Sequence, residues 1–270
     1  LFIDTYDNWY NLRTFALQSS GFNVDREGSN KESVSVPKDT VDILINDGNP
    51  FISDDFKVKV KRYNKANLSG DISINSRKYN FNNVLTTVIK KDFSREKEIN
   101  IPFKYSKNKE SIDLLDININ LESLSLIKKK PVFFHSPFKK INKTVLSEKG
   151  AEVYRIINGD LEYRAAEGYA PTLYSLTYKG IQLLDSTYPE VRPKSWWNPW
   201  SGGILTHPGN LKNITIHEAE RKVEFAVLRD NMGNLWQGIS ISMKYKDHEK
   251  YKNLLVRQYY LSLPDLPLIL

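Results

Sequence analysis

Period-two alternation over short segments constrains this chain more than any other feature. Asp55-Phe56-Lys57-Val58-Lys59-Val60-Lys61 puts an apolar residue at every second position. Successive side chains of a strand point to opposite faces, so this is the pattern of a half-buried strand. Gly70 to Asn75, Asn100 to Phe103 and Ile112 to Leu121 repeat it, separated by polar breaks such as Asn67-Leu68-Ser69-Gly70 and Ser106-Lys107-Asn108-Lys109. Val153 to Tyr163 reads as two strands around Asn158-Gly159-Asp160, a hairpin signal. Leu173 to Tyr178 and Ile181 to Leu184 flank a Lys179-Gly180 turn. Lys222 to Arg229 and Gly238 to Tyr245 alternate on either side of Asp230 to Asn234. Leu254 to Leu261 is a last strand, and the apolar Leu263 to Leu270 is expected to continue the sheet. No repeat of fixed length is visible.

The expected fold class is therefore all-β, with two sandwich units. Short strands joined by polar turns over residues 41–130 predict an antiparallel β-sandwich of immunoglobulin-like size. The phrase Leu68-Ser69-Gly70-Asp71-Ile72-Ser73-Ile74 resembles the strand entry of Ig-like modules attached to glycosidases. Residues 146–270 form the second β unit. Between them, 131–145 contains Pro131 and His135-Ser136-Pro137, expected as a linker or an edge-strand crossing. Residues 1–40 differ. Trp9, Leu12, Phe15, Ala16 and Leu17 approach helical spacing, which predicts a short helix over 8–20, followed by a loop from Gly21 to Asp39. The segment also fits the tail of a preceding domain. The chain starts at Leu1 rather than Met, so it reads as a fragment or processed piece.

Composition removes whole classes of chemistry. With 0 cysteines there are no disulfides, thiolate metal sites or thiol catalysis. That count fits a cytosolic protein and an exported bacterial one alike, so the compartment stays open. No apolar run approaches the roughly 18–20 residues of a spanning helix. The net charge of +7 raises a nucleic-acid surface as an option, but the excess is scattered. Residues 1–145 carry 24 basic and 18 acidic side chains, and 146–270 carry 15 and 14. Scattered lysine on strands reads as a solvated face, and no nucleic-acid partner is expected. The four histidines form no close pair, so no metal site is expected. No glycine-rich nucleotide loop or Gly-X-Ser-X-Gly elbow occurs, and no cofactor is expected.

The most informative stretch runs from Tyr188 to Ile204. Three of the 5 tryptophans, Trp196, Trp197 and Trp200, fall within five positions there, among prolines and glycines. A long loop so rich in rings either closes over the core or presents aromatic faces to a ligand. Sugar C–H faces stack on indoles. Asn, Arg, Glu and His fix hydroxyls through directional hydrogen bonds. The candidate carbohydrate-binding set is Trp196, Trp197, Trp200 and Trp236 for stacking, with Glu190, Arg192, Asn198 and His207 for hydrogen bonds.

Residues from about 150 to 270 resemble the start of a galactose-mutarotase-like, glycoside-hydrolase-associated supersandwich domain. Asn158-Gly159-Asp160-Leu161, Leu173-Tyr174-Ser175-Leu176, Ser186-Thr187-Tyr188-Pro189-Glu190, Trp200-Ser201-Gly202-Gly203-Ile204 and Trp236-Gln237-Gly238-Ile239 carry the likeness. It covers under half the chain. It implies large twisted antiparallel sheets that bind carbohydrate, and it does not imply catalysis. The active epimerases of that superfamily resemble one another in a histidine placed before the Gly-Gly pair. Here no histidine precedes Gly202-Gly203. His207 follows it, and His217-Glu218 lies ten residues further on.

A histidine beside a carboxylate can exchange protons at an anomeric centre. His207, His217 and Glu218 are the catalytic candidates, although His207 can equally serve the loop's own hydrogen bonding. The expected function is a carbohydrate-binding accessory module of a larger saccharide-active protein. The alternatives are a sugar-active enzyme of epimerase or glycosidase type, and a structural module packed against a neighbouring catalytic domain.

Overall fold

A computed structural model describes residues 41–62, 70–76, 78–79, 96–101, 111–121, 124–136, 139–208, 219–246 and 248–270, with the backbone of two short strands before them. The described chain is all-β. Among the described residues there is a single-turn 3-10 segment, Asn46–Gly48, and no helix long and apolar enough to cross a membrane. The helix expected over 8–20 lies outside the described residues. The stretch expected as a loop from Gly21 to Asp39 instead contains an antiparallel pair, β1 (Asn23–Glu27) and β2 (Lys31–Ser35). Val24 and Val34 are its only apolar residues, too few for an alternation to stand out.

The chain divides into two compact units, residues 1–104 with 113–132, and 105–112 with 133–270. The first contains β3 (Val41–Ile45), β5 (Phe56–Arg62) and β7 (Glu96–Ile101) in one sheet, in the order β3-β5-β7. A second sheet has β4 (Phe51–Ile52), β9 (Leu124–Phe134), β8 (Ile112–Leu121) and β6 (Gly70–Asn75), in the order β4-β9-β8-β6. Alternate residues are buried: Phe56 and Val58 on β5, Ile72 and Ile74 on β6, and Leu115, Ile117 and Ile119 on β8. The interleaved lysines and asparagines stay outside. Strand β9 continues through Pro131 to Phe134, so the expected linker is part ladder.

The second unit is built from β10 (Asn142–Glu148), β11 (Ala151–Asn158), β12 (Leu161–Ala166), β13 (Leu173–Tyr178) and β14 (Ile181–Gln182), a five-stranded antiparallel meander. Two of its turns, Lys149-Gly150 and Lys179-Gly180, have positive φ at both central residues. That is the tight geometry whose twist matches the flanking strands. A three-stranded sheet follows, β15 (Glu220–Arg229), β16 (Leu235–Tyr245) and β17 (Leu254–Ser262). The two sheets share one core. Ile156, Leu161, Tyr163, Ala165 and Leu173 from the first meet Val223, Ile239, Ile241 and Tyr260 from the second.

Gly238 lies at the centre of this β-sandwich. A Cβ there would come within 1.9 Å of the Tyr260 carbonyl oxygen and 2.7 Å of the Tyr163 hydroxyl. The missing side chain makes room for the fully buried Tyr163 ring. After β17 the chain turns, and Leu270 returns to exchange hydrogen bonds with Leu261, at 2.8 and 3.0 Å. The turn is pinned by Asn158. Its Nδ2 donates to the carbonyls of Leu263 (2.8 Å) and Leu266 (2.9 Å), and its Oδ1 accepts from the Asp265 amide (2.6 Å).

Candidate functional site

The aromatic loop is a braced hairpin. Its two arms start beside β13 and β14, where Ser186 bridges Gly202 and Leu173 bridges Ile204. The Gly203 amide donates to the Asp185 carbonyl (3.0 Å) and the Thr187 amide to that of Ser201 (2.9 Å). Further out, the Lys194 amide donates to Trp200 (3.2 Å). At the tip Ser195 and Asn198 exchange two backbone bonds of 3.2 and 3.1 Å, which leaves Trp196 and Trp197 as the central residues of the turn. An ion pair between Lys194 and Asp185 spans the arms.

Gly202 and Gly203 permit the crossing. Both run at positive φ, and a Cβ on Gly203 would lie 2.4 Å from Thr172 Oγ1 and 2.5 Å from the Leu173 carbonyl oxygen. Side-chain bonds add to the brace. The Tyr169 hydroxyl donates to the Ser201 carbonyl (2.8 Å), and the Thr187 hydroxyl donates to that of Glu190 (2.7 Å). Tyr188 stacks on Tyr174 with centroids 4.0 Å apart, and Tyr169 meets both rings edge-on. Burial, with Glu148 nearby, pushes the Tyr174 hydroxyl well above the usual phenol range, so it stays protonated.

The proposed stacking residues separate into three situations. Trp196 is 94% exposed and Trp197 68% exposed, both at the hairpin tip. Trp200 is half-buried at the hairpin base and stacks on His207, with centroids 5.1 Å apart. Trp236 is only 2% exposed, and this corrects its expected place in the platform. Its indole N–H donates to Asp230 Oδ2 (2.9 Å) and it serves the β15–β16 turn. On β16 Trp236 shares a face with Ser240, Ser242 and Lys244, a mostly polar row.

The polar candidates are likewise divided. Glu190 and Arg192 pair with each other at 3.1 Å on the exposed side of the hairpin. Asn198 Oδ1 accepts the Trp200 amide (3.2 Å), so it shapes the turn. His207 and Trp200 line a cavity of about 210 Å³ together with Thr172, Ser201, Gly202 and Gly203. His207 Nδ1 lies 2.7 Å from the Pro208 carbonyl oxygen. A carbonyl only accepts, so Nδ1 holds the proton of the neutral ring and Nε2 keeps its lone pair. Among the described residues no carboxylate hydrogen-bonds His207. His217 and Glu218 lie outside the described residues.

Sequence reasoning passed over Tyr169, Tyr174 and Thr187, which hold the hairpin from a distance. The Tyr169-Ala170-Pro171-Thr172 break before β13 was the available signal. No protein-family model, curated protein or solved structure matches this chain.

Proposed function

We propose that the chain is a carbohydrate-recognition module of a larger saccharide-active protein, with Trp196 and Trp197 as its stacking platform. The observation that carries this reading is the pair of exposed indoles on a hairpin closed by backbone hydrogen bonds. Leaving such rings in water forgoes about 1.5–3 kcal/mol of burial for each large apolar side chain. Rings held out at that cost favour a binding surface. Bracing lowers the ordering cost at the moment of binding. Glu190 and Arg192 flank the platform and offer hydroxyl partners.

Trp200 and the free Nε2 of His207 extend the surface into the cavity at the hairpin base. Its volume of about 210 Å³ lies below the roughly 300–1,000 Å³ of pockets that engulf drug-sized ligands, so it suits one ring at most. In this reading the sandwich over 41–130 is Ig-like and the β unit over 146–270 is mutarotase-like.

Affinity electrophoresis through polysaccharide-loaded gels tests it. Wild type should be retarded by at least one polysaccharide. The Trp196→Ala/Trp197→Ala double variant should lose roughly tenfold or more in affinity, as removal of aromatic anchors does. Equal retardation of both proteins, or none on any polysaccharide, would contradict the proposal. The latter would favour the second reading, in which the same exposed pair docks a neighbouring domain.

A further inference from the structure

Strand β15 is an edge of its sheet. β16 pairs with one side of it, and among the described residues no strand pairs with the other. The bonding phase shows which groups face that open side. Leu261 on β17 gives both its backbone groups to Leu270, so they point away from β16. Its register partner Gly238 therefore points the other way, to Ala226 on β15. Bonds alternate along an antiparallel ladder, so Phe225 and Val227 aim their N–H and C=O outward. Val223 has the same phase, and its outward amide donates to Glu167 Oε2 at 3.5 Å. Among the described residues no such cap reaches Phe225 or Val227.

Edge strands are normally guarded by charges, prolines or short length. Arg221, Lys222 and Glu224 guard the first half of β15, but Phe225-Ala226-Val227-Leu228 holds no charge and no proline. Val227 is 50% exposed and Leu228 41% exposed. Unpaired backbone and uncovered apolar side chains therefore coincide on one stretch of the edge.

We propose that this edge joins a second copy of the chain, β15 against β15, antiparallel about a two-fold axis at Ala226. In that register Phe225 and the second copy's Val227 exchange both backbone bonds, and the symmetry repeats the exchange. Aromatic and β-branched residues are favourable cross-strand partners. Ala226 meets its own copy on the axis, where small side chains let the backbones approach. Lys222 falls across from the second copy's Asp230, at both ends of the pairing. The two adjacent registers of the same bonding phase lack this match. Centring on Val227 sets Glu224 against Asp230, and centring on Phe225 sets Arg221 against Arg229 and needs the Val223 amide that Glu167 already holds. Like charges directly opposite destabilise a sheet, so charge selects the register at Ala226. The contact stands whether or not the tryptophan hairpin binds sugar.

Sedimentation velocity over micromolar to submillimolar protein tests it. The wild-type mass should rise from monomer to dimer with concentration and stop there, because a two-fold contact closes on itself. Val227→Pro removes an outward N–H that no strand of this chain uses, so it should fold and stay monomeric. Lys222→Glu should weaken the dimer about tenfold by setting like charges across both ends of the pairing. Its loss within the chain is small, since the Lys222–Glu224 ion pair is exposed. If Val227→Pro does not fold, Lys222→Glu decides alone. A monomer at every concentration, growth past the dimer, or a dimer that a folded variant leaves at full strength would overturn the proposal.

Discussion

Gly203 runs at φ +79°, with Thr172 Oγ1 and the Leu173 carbonyl oxygen where a side chain would begin. Gly203→Ala should cost at least about 2 kcal/mol, combining left-handed strain with overpacking. Chemical denaturation would read this as a lower midpoint at unchanged slope. Asn158 is a different case. The sequence marks it as a hairpin residue, which it is, but its buried amide also holds Leu263, Asp265 and Leu266, over 100 positions away. No local pattern encodes such a clamp. Asn158→Ala leaves those backbone groups unmet and should cost about 2–3 kcal/mol, measured the same way. Asp230 completes the residue scale. Burial opposes its ionisation, but hydrogen bonds from Trp236, Asn234 and Met232 prevail and hold its carboxyl below the usual aspartate range. A depressed folded-state pKa means stability present above the unfolded value, near 3.9, and lost as pH falls through the folded one. Asp230→Asn should therefore lower the Tm at neutral pH and flatten its decline as pH falls below about 4.

At the scale of elements, the strands were legible and the hairpin was not. Alternation located β5, β6, β8, β15 and β16 because each buries one face and wets the other. The stretch from Tyr188 to Ile204 has no such period. Its order comes from Tyr169, Thr172 and Thr187, residues outside the aromatic cluster. Composition could therefore flag the rings but could not say which face water. Trp196 and Trp197 stand out, Trp200 lies against His207, and Trp236 is buried. If the brace holds the tip, loosening it from below should be felt above. Tyr169→Phe removes the bond to the Ser201 carbonyl, worth about 1 kcal/mol. Amide hydrogen exchange at Lys194, Ser195 and Asn198 should then speed up roughly fivefold. Unchanged exchange would mean that the tip is held by its own turn alone.

For the whole molecule, the second unit carries a reserve of neutral buried phenols. Burial raises the pKa of Tyr163, Tyr174 and Tyr260 well above the ordinary tyrosine value of about 10. A raised folded-state pKa means stability that is complete below the unfolded value and lost as pH rises through the folded one. The unit should resist up to about pH 10 and then unfold with a burst of tyrosinate absorbance, rather than titrate gradually. The two-sheet sandwich that buries these rings was expected from strand spacing, whereas which tyrosines fill it was set by tertiary partners such as Gly238. The exposed indole pair is the feature on which sugar recognition would depend, and iodide quenching of tryptophan fluorescence during a polysaccharide titration tests it. Strong quenching carried by Trp196 and Trp197 is expected, relieved as one polysaccharide saturates the protein and absent from the double alanine variant. Quenching that no polysaccharide relieves would contradict it.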